Sequence, residues 1–520
     1  MGKYVVGIDA GTMGVRCCIF DLNGNQVSSA YYETPTYYPK PGWVEQDAND
    51  VVNLAHKATA QAIAKKNIDA AEIISISFTN QRTSFAPIDK DGNFIHNMIL
   101  WQDQRGAEIF PWAREQLAKY GMTELDLYKK CGHPLGSVQC GSKAFWLRLN
   151  KPDIYEKTWK MVTPHAMLAK AFGADDWYDE ESDANWWLVT NCDTFEYDPV
   201  LCDIFGMDID KYPKNMKPGT KIGEVTSEVA KKTGLKAGTP LYVGSGDQQC
   251  GAVGVGNSGA PGLGSVCLGT AGLCIGYSAD PVRDANGKCH VLGHPAGGYT
   301  MEGHASAAAS SFRWCRNAIG RYEMTAAELS DIDVYVIMGA IAEKAPLGSK
   351  GTMFLPWLAG AACPYYNDNA RGAFIGMTLG VTKSELYRSA MEGICFEMRG
   401  MLDALKEAGF TFDRLRLTGG AARSPFWNQM QADIYGCRCE SVNAAEATAL
   451  GAAMVGAVGA GVFKDLAEAD KAMVSLKDVY EPIPENVALY NEVYEVFKAC
   501  YRGLATEGFD QIAAFQNKYC

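Results

Sequence analysis

Hydrophobic and polar positions alternate with two different periods along the chain. Near the N-terminus, apolar residues run up to Asp9, the chain turns at 10–12, and a second run alternates with polar or small residues up to Asp21. A period of two on both sides of a glycine-containing turn predicts a β-hairpin. Residues 49–66 carry apolar side chains at helical spacing, and 73–78 form another predicted strand. Strand, helix and strand in this order predict a doubly wound α/β fold.

The second half of the chain repeats this order of elements. An apolar run at 266–268 ends in Gly269-Thr270, as the first run ends at Asp9. The repetition indicates a duplicated α/β fold. We place the boundary after the strand at 240–244, which predicts an N-terminal domain at 1–245 and a C-terminal domain at 246–520.

Three other segments have distinct patterns. Residues 383–407 carry apolar side chains along one face of a helix. Residues 446–461 are nearly all small, which predicts a helix packed tightly against its neighbours. The acidic and aromatic segment at 175–182 is typical of a variable insertion or a lid, and no role follows from it.

Composition narrows the classes of function. A chain of 520 residues, 47% hydrophobic and 21% charged, is long enough for two globular domains. The net charge of -12, with no block of Lys and Arg, argues against a nucleic-acid partner and favours a small ligand. Without an apolar run of about eighteen residues or a leader segment, we expect a cytoplasmic protein with no membrane partner. The 17 cysteines are scattered singly, which predicts reduced, mostly buried thiols.

The turn of the first hairpin carries groups that bind phosphate. Asp9 supplies a carboxylate, Thr12 a hydroxyl and Arg16 a cation, while Gly11 leaves backbone N–H groups accessible. Together they suit a metal-bound polyphosphate, with Asp9 holding Mg²⁺ through water. The alternative is an ordinary hairpin with a polar tip.

Two turns in the second half have similar chemistry. Gly269-Thr270 provides a second phosphate turn. The Gly-Gly turn that contains Gly420 and Ala421 follows a strand at 415–417 and opens a helix near Ser424. Such a turn lets a nucleotide approach the backbone closely.

Polar residues follow two predicted strands of the first half. Gln81 and Arg82 come after the strand at 73–78, and Trp101 and Asp103 come at the end of the strand at 98–101. In open α/β sheets, ligands bind beyond the carboxyl ends of the strands, so these side chains lie where a substrate is recognised. The alternative is that Trp101 packs and Arg82 caps.

Asp247 is the candidate general base. It follows a strand directly and lies between glycine and Gln248, with no lysine or arginine beside it in the sequence. With the three phosphate and nucleotide turns, it completes the parts needed for phosphoryl transfer from ATP, which depends on positioning and charge neutralisation. The alternative is that Asp247 caps the next helix.

These motifs resemble the FGGY family of carbohydrate kinases, in the actin/Hsp70-like ATPase superfamily. The resemblance covers essentially the whole chain, and one specific signature runs through 372–392. A second signature, around Lys143, is matched less well because Ala144 stands where a bulkier apolar residue is usual. The resemblance implies two ribonuclease-H-like domains that face a cleft and close over it, with ATP and Mg²⁺ as cofactors.

The resemblance also implies roles for single residues. Asp247 matches the catalytic base, Asp9 and Thr12 match the magnesium and phosphate loop, and Gly269-Thr270 matches the second phosphate loop. Gly420 and Ala421 match the adenosine-binding turn. The positions that contact substrate are matched by Arg82, Trp101 and Gln248.

Substrate is where the pattern departs from known members. Asn80-Gln81-Arg82 resembles glycerol kinases, yet Thr83 replaces the glutamate and Val138 the tyrosine that would read hydroxyl groups there. Residues 420–427 resemble xylulokinases, although their Gln-Met-His-Gly substrate motif is replaced by the residues 81–84.

The sequence therefore predicts an ATP-dependent kinase that phosphorylates a terminal hydroxyl of a small sugar or polyol, foremost a xylulose-like ketopentose. The alternatives are a glycerol or other short-polyol kinase, an autoinducer-2-type or tetritol kinase, and a non-enzymatic ATP-binding sensor. A homodimer is a further expectation.

Overall fold

The computed structural model describes residues 3–444 and 446–519 as a mixed α/β protein with two compact units. The first unit comprises residues up to 260 together with 277–300 and 443–475. The second comprises 261–276, 301–442 and the residues from 476 onward. The single boundary predicted after residue 245 does not coincide with this division, because later segments of the chain return to the first unit. The limits of the domains stay a prediction.

The strands of the described chain are short, as is usual in α/β proteins. They are β1 (Tyr4–Ala10), β2 (Gly14–Asp21), β3 (Gln26–Glu33), β4 (Glu45–Gln46), β5 (Ile73–Asn80), β6 (Ala86–Ile88), β7 (Met98–Ile99), β8 (Lys160–Val162), β9 (Tyr178–Glu180), β10 (Lys214–Met216), β11 (Lys221–Glu224), β12 (Pro240–Tyr242), β13 (Leu263–Leu268), β14 (Gly272–Ser278), β15 (His290–Gly293), β16 (Tyr299–Ala305), β17 (Met353–Leu355), β18 (Ala373–Ile375), β19 (Arg414–Thr418), β20 (Arg438–Val442) and β21 (Leu476–Tyr480).

The helices vary more in length. They are α1 (Ala48–Lys65), α2 (Phe110–Lys119), α3 (Glu124–Cys131), α4 (Cys140–Asn150), α5 (Pro152–Lys157), α6 (Pro164–Phe172), α7 (Glu181–Ala184), α8 (Pro199–Phe205), α9 (Ser227–Thr233), α10 (Asp247–Gly254), α11 (Ala309–Ile319), α12 (Arg321–Ser330), α13 (Val334–Ala342), α14 (Lys383–Glu407), α15 (Pro425–Tyr435), α16 (Ala447–Gly459), α17 (Leu466–Met473), α18 (Pro484–Ala505) and α19 (Gly508–Tyr519). Of these described helices, none has the length and hydropathy that a membrane span requires.

The first unit is built on a six-stranded sheet with the order β11-β12-β5-β1-β2-β3. The predicted hairpin is confirmed, because β1 pairs antiparallel with β2 and places Asp9 opposite Arg16. On its other side β1 pairs in parallel with β5, so both strands end at the same edge. Alternate residues of β1 serve opposite faces: Val6 packs in the core with α1, and Val5 packs with α16.

A second sheet of seven strands has the order β15-β16-β14-β13-β19-β20-β21. Its β13 and β14 form an antiparallel hairpin around 269–271, which confirms the predicted repeat of the first hairpin. On the other side, β13 pairs in parallel with β19. The long helix predicted at 383–407 has the same limits in the structure, and a capping box between Thr382 and Glu385 fixes its start.

Residues 175–182, expected to form an insertion or a lid, are instead largely buried. Asp179, Glu180 and Asp183 are each 0% exposed in β9 and α7. Acidic residues usually face water, whereas here hydrogen-bond donors, several of them from distant segments, satisfy these carboxylates, so the end of this segment is not a surface lid. The expected thiols are confirmed among the described cysteines, all of which are free and all but two of which are buried.

The small residues of α16 allow backbone to approach backbone. A Cβ added to Gly7 of β1 would overlap the carbonyl oxygen of Ala449, and one added to Gly451 would overlap that of Cys250 in α10. The predicted tight packing is therefore confirmed. This helix, although close to the end of the chain, completes the first unit.

We expect Gly451→Ala to destabilise the first unit by about 1–3 kcal/mol, because the added methyl group forces α10 and α16 apart. Gly503→Ala is the matched control: Gly503 lies in α18, a Cβ there meets no atom within 4 Å, and the change favours helix by up to about 1 kcal/mol. Urea unfolding of both variants measures the difference. Equal midpoints would contradict the packing argument.

Candidate active site

The turn after β1 gathers polar groups of the first unit. The Oδ1 atom of Asp9 is buried and has no hydrogen-bond partner among the described residues. The pKa of Asp9 is raised to about 7, chiefly by burial and also by the negative charge of Asp247, while Arg16 opposes the shift. A buried carboxylate oxygen without a donor, beside a second carboxylate, is a site that a cation would stabilise.

Thr12 and Arg16 have partners that the sequence does not indicate. The indole N–H of Trp101 donates to the Thr12 hydroxyl at 2.9 Å, which ties the first hairpin to the residues after β7. Arg16 forms an ion pair with Glu446, the residue before α16, and lies 5.0 Å from the ring centroid of Tyr31. The predicted phosphate cation therefore has a carboxylate beside it, contributed by a residue 430 positions away.

Asp247 lies next to an arginine. The guanidinium Nε of Arg82 is 3.3 Å from Asp247 Oδ1, with 9% and 27% of the two side chains exposed. Arg82 also donates to Gln249 at 3.2 Å and lies 5.2 Å from the ring centroid of Trp186. Asp247 has no lysine or arginine beside it in the sequence, but the fold brings Arg82, just after the end of β5, to the start of α10.

The start of α10 tests the alternative that Asp247 only caps this helix. Asp247 is the first residue of the helix, and the N-cap position is occupied by Gly246. The carboxylate is therefore not the N-cap, and it lies partly exposed at the start of the helix. Its neighbour Gln248, the other predicted substrate contact here, is half-buried.

Two predicted substrate residues are buried behind the turns. Gln81 is 1% exposed, and its side-chain amide donates to Gln46 at 3.2 Å. Asp103 is 1% exposed and accepts hydrogen bonds from Arg105 Nε at 2.8 Å and from the backbone N–H of Val44 at 2.7 Å. Both side chains are thus bound to protein partners. They stabilise the loops after β5 and β7 from below and are not exposed to a ligand.

Lys143 has a role that its sequence position does not reveal. Its ammonium group is fully buried and donates to the carbonyl oxygens of Thr83 at 2.8 Å, Leu100 at 2.9 Å and Val138 at 3.0 Å. Burial lowers the pKa of Lys143 to about 8. Thr83 has a φ of 61°, which is unfavourable for a β-branched residue, so this strained turn is held by the lysine.

The second unit contains a cavity of about 770 Å³. All five predicted nucleotide residues of this unit line it, namely Gly269, Thr270, Gly420, Ala421 and Ser424. The sequence did not indicate its other polar lining residues, Ser310, Arg313, Asp333, Tyr335, Glu343 and Arg423.

The Gly269-Thr270 turn, predicted to bind phosphate, is held by the start of α11. The backbone N–H of Ala309 donates to the carbonyl of Gly269 at 2.9 Å, and the Ser310 hydroxyl donates to that of Thr270 at 2.7 Å. Gly419 has a φ of 85°, and a Cβ there would overlap the Leu268 carbonyl oxygen, so glycine is required where the two turns meet. A Cβ on Gly420 would meet no protein atom within 4 Å. The size and chemistry of the cavity suit a nucleotide.

Comparison with known proteins decides the family. The N-terminal domain model of the FGGY family of carbohydrate kinases matches residues 4–254, and the C-terminal domain model matches residues 264–460. The chain belongs to the FGGY family of carbohydrate kinases. The resemblance seen in the sequence is thereby confirmed. FGGY kinases are phosphotransferases that act on sugars or polyols and use ATP.

Relatives of this FGGY kinase extend over its full length. A xylulose kinase of Bacillus subtilis is 29% identical over 508 residues, covering 96% of this chain and 97% of the relative. A glycerol kinase of Acaryochloris marina is 30% identical, covering 89% and 91%. The crystal structure of a xylulose kinase from Lactobacillus acidophilus superposes with a TM-score of 0.88 at 24% identity, covering 98% of this chain and all of that one. The predicted actin-like fold is confirmed by this similarity.

We expect Asp9→Asn to raise the melting temperature of the ligand-free protein at about pH 8. The pKa of Asp9 is raised from 3.8 to about 7, so the folded state binds its proton more tightly than the unfolded chain, and this contribution to stability is lost as the pH rises to 7. Asparagine does not ionise, so the variant avoids this loss of stability at high pH. Its stability advantage over the wild type decreases as the pH falls towards about 5. Thermal melts across pH measure it, with Asp91→Asn at an exposed turn as control. A benefit independent of pH would contradict the assignment.

Proposed function

We propose that the protein transfers the γ-phosphate of ATP to a terminal hydroxyl of a small sugar or polyol, with a xylulose-like ketopentose as its substrate. The observation that carries the proposal is the pair of Arg82 and Asp247, a partly exposed carboxylate beside an arginine, close to the buried carboxylate of Asp9. Membership of the FGGY kinases supports the reaction class.

In this proposal Asp247 accepts the proton of the attacking hydroxyl group. The hydroxyl oxygen forms a bond to the γ-phosphorus, the bond from that phosphorus to the β,γ-bridging oxygen breaks, and ADP leaves with the bonding electrons. Arg82 orients the Asp247 carboxylate and also contacts the sugar. Trp101 and Gln248 contact the sugar as well. Trp101 and Gln248 are half-buried and can reach a ligand. Gln81 and Asp103 are buried and act indirectly, by fixing Gln46 and Arg105.

The unpartnered oxygen of Asp9 fits a hydrated Mg²⁺ ion, and Thr12 and Gly11 lie in the same turn. Mg²⁺ would neutralise charge that develops on the phosphate oxygens. Arg16 provides a cation for the phosphates, and the second unit holds the nucleotide in the cavity lined by Thr270 and Gly420. A cytoplasmic location and a homodimer stay predictions from the sequence.

The two departures from glycerol kinases lie around one buried group. Thr83 and Val138 replace the residues that the resemblance associates with glycerol, and the carbonyl oxygens of both accept from Lys143, at 2.8 and 3.0 Å. Both positions therefore lie beside the same ammonium group, and neither carries the glutamate or tyrosine that the resemblance associates with glycerol. This supports the ketopentose over glycerol, which is the second candidate because relatives named as glycerol kinases are as similar as those named as xylulose kinases.

We expect ADP release to be fastest with a ketopentose when ketoses, aldoses and polyols are compared in a coupled assay. Asp247→Asn should lower kcat by about 10²–10⁴-fold, because the general base is lost, with little change in ATP affinity. Turnover retained in that variant would contradict the assignment of Asp247. Glycerol as the best substrate would favour the second candidate, and ATP binding without turnover on any substrate would favour the sensor.

We expect Gly420→Ala to weaken ADP binding by about tenfold while leaving the melting temperature unchanged, because the added methyl group meets only the nucleotide. Calorimetric titration with ADP measures the affinity. Gly503→Ala, at a site remote in sequence from every cavity-lining residue, serves as the control. Unchanged affinity would exclude the turn at Gly420 from the nucleotide site.

A further inference from the structure

Residues 179–183 bring four acidic side chains into the interior of the first unit. Asp179, Glu180 and Asp183 are completely buried, and Glu181 is 9% exposed. Burial raises the pKa of Asp179 and of Glu181 to about 7, and it raises that of Asp183 well above the ordinary value. Such burial is unfavourable for a carboxylate unless hydrogen bonds offset it. The identity of the donors therefore shows what the segment holds.

Glu180 holds the turn that precedes Asp247. Its Oε1 atom accepts from the backbone N–H of Gly246 at 3.0 Å, and its Oε2 atom accepts from the Ser245 hydroxyl at 3.1 Å. The Ser182 hydroxyl donates to Glu180 at 2.6 Å and accepts from the same Gly246 N–H at 3.2 Å. The two residues directly before Asp247 are thus bound through both backbone and side chain.

Asp183 holds the turn that contains Arg82. Its Oδ2 atom accepts from the Asn80 side-chain amide at 2.6 Å, and its Oδ1 atom accepts from the backbone N–H of Thr83 at 3.3 Å. Asn80 and Thr83 flank the Gln81-Arg82 pair. Because Lys143 binds the Thr83 carbonyl at 2.8 Å, the strained residue after Arg82 is held on both sides.

We propose that Glu180 and Asp183 are positioning residues that hold Asp247 and Arg82 at their mutual distance. The two carboxylates lie three residues apart in one short segment, so both turns share one anchor. The space between the turns is filled, since a Cβ on Gly246 would overlap the Arg82 side chain. The inference rests on the proposed function, in which Asp247 accepts the proton of the attacking hydroxyl and Arg82 orients the Asp247 carboxylate and contacts the sugar.

The two carboxylates have separable effects. Glu180→Gln leaves one acceptor oxygen where the carboxylate now binds both Ser245 and Gly246, so one of these contacts is lost and the base is displaced, which lowers kcat. Asp183→Asn likewise leaves one acceptor oxygen where the carboxylate now binds both Asn80 and Thr83, so one of these contacts is lost and Arg82 is displaced, which raises the KM for the sugar. A displacement of about 1 Å is sufficient for a change of about 10²-fold in rate.

The test compares Glu180→Gln, Asp183→Asn and Asp179→Asn. Asp179 is the matched control, because it is equally buried in the same segment but accepts from Thr163 at 3.0 Å, from Trp187 at 3.1 Å and from the adjacent backbone N–H of Glu180 at 3.0 Å, and not from either turn. We expect Glu180→Gln to lower kcat by about tenfold or more with KM nearly unchanged, and Asp183→Asn to raise the sugar KM by about tenfold or more. We expect Asp179→Asn to leave both constants within about threefold.

If Glu180→Gln and Asp183→Asn match Asp179→Asn in both constants, the proposal is overturned. Crystal structures of the same variants separate this outcome from failure of the proposed function. A distance from Arg82 Nε to Asp247 Oδ1 that stays at 3.3 Å in both variants overturns the positioning role even if the wild type phosphorylates no sugar. Loss of that contact in both, with the contact kept in Asp179→Asn, supports the role.

Discussion

The buried ammonium group of Lys143 fixes the arrangement of the first unit's strand ends. Isolated burial of a charge costs several kcal/mol, so Lys143 constrains every segment whose carbonyl it needs. Those segments follow β5, follow β7 and precede α4, and they meet at Thr83, Leu100 and Val138. Trp101 comes next after Leu100 and binds Thr12, so the first hairpin is joined to the same network. One charge thus coordinates three loops that are separate in the sequence.

In the second unit, the buried carboxylate of Glu392, which belongs to the family signature, likewise binds several separate segments. Its carboxylate accepts from Arg388 at 2.8 Å, from Tyr490 at 2.9 Å and from the backbone N–H of Gly348 at 3.0 Å. Gly348 follows α13, and α13 forms one wall of the cavity proposed to hold the nucleotide. In both units, therefore, a buried charge on a helix holds a loop beside a proposed ligand site.

Much of the fold follows from local patterns in the sequence. The two hairpins and the 25-residue α14 are local, because their apolar spacing and capping residues lie within one segment. The predicted nucleotide turns are local as well, since glycine and hydroxyl residues directly after a strand are enough to indicate a tight turn there. For that reason Gly269 and Ser424, assigned from sequence, line one cavity.

What the sequence does not reveal are pairs between distant segments. Arg82 and Asp247 are separated by 165 residues, and Arg16 and Glu446 by 430, so no local pattern predicts either contact. The buried acids at 179–183 mislead for the same reason, because their donors come from Asn80, Thr83, Ser245 and Gly246. Asp103 resembles an exposed ligand until Arg105 and Val44 are seen to occupy both oxygens.

The placement of α16 has a consequence for synthesis of the chain. The face of the first sheet that carries Val5, Cys18 and Phe20 packs against Ala449 and Ala453. On the ribosome the strands of that face emerge several hundred residues before their cover, and translation proceeds at about 5–20 residues per second. For tens of seconds the nascent first sheet exposes an apolar surface and unfinished backbone packing. Chaperones that recognise such surfaces thus have a defined period in which to bind, and it ends when α16 leaves the exit tunnel.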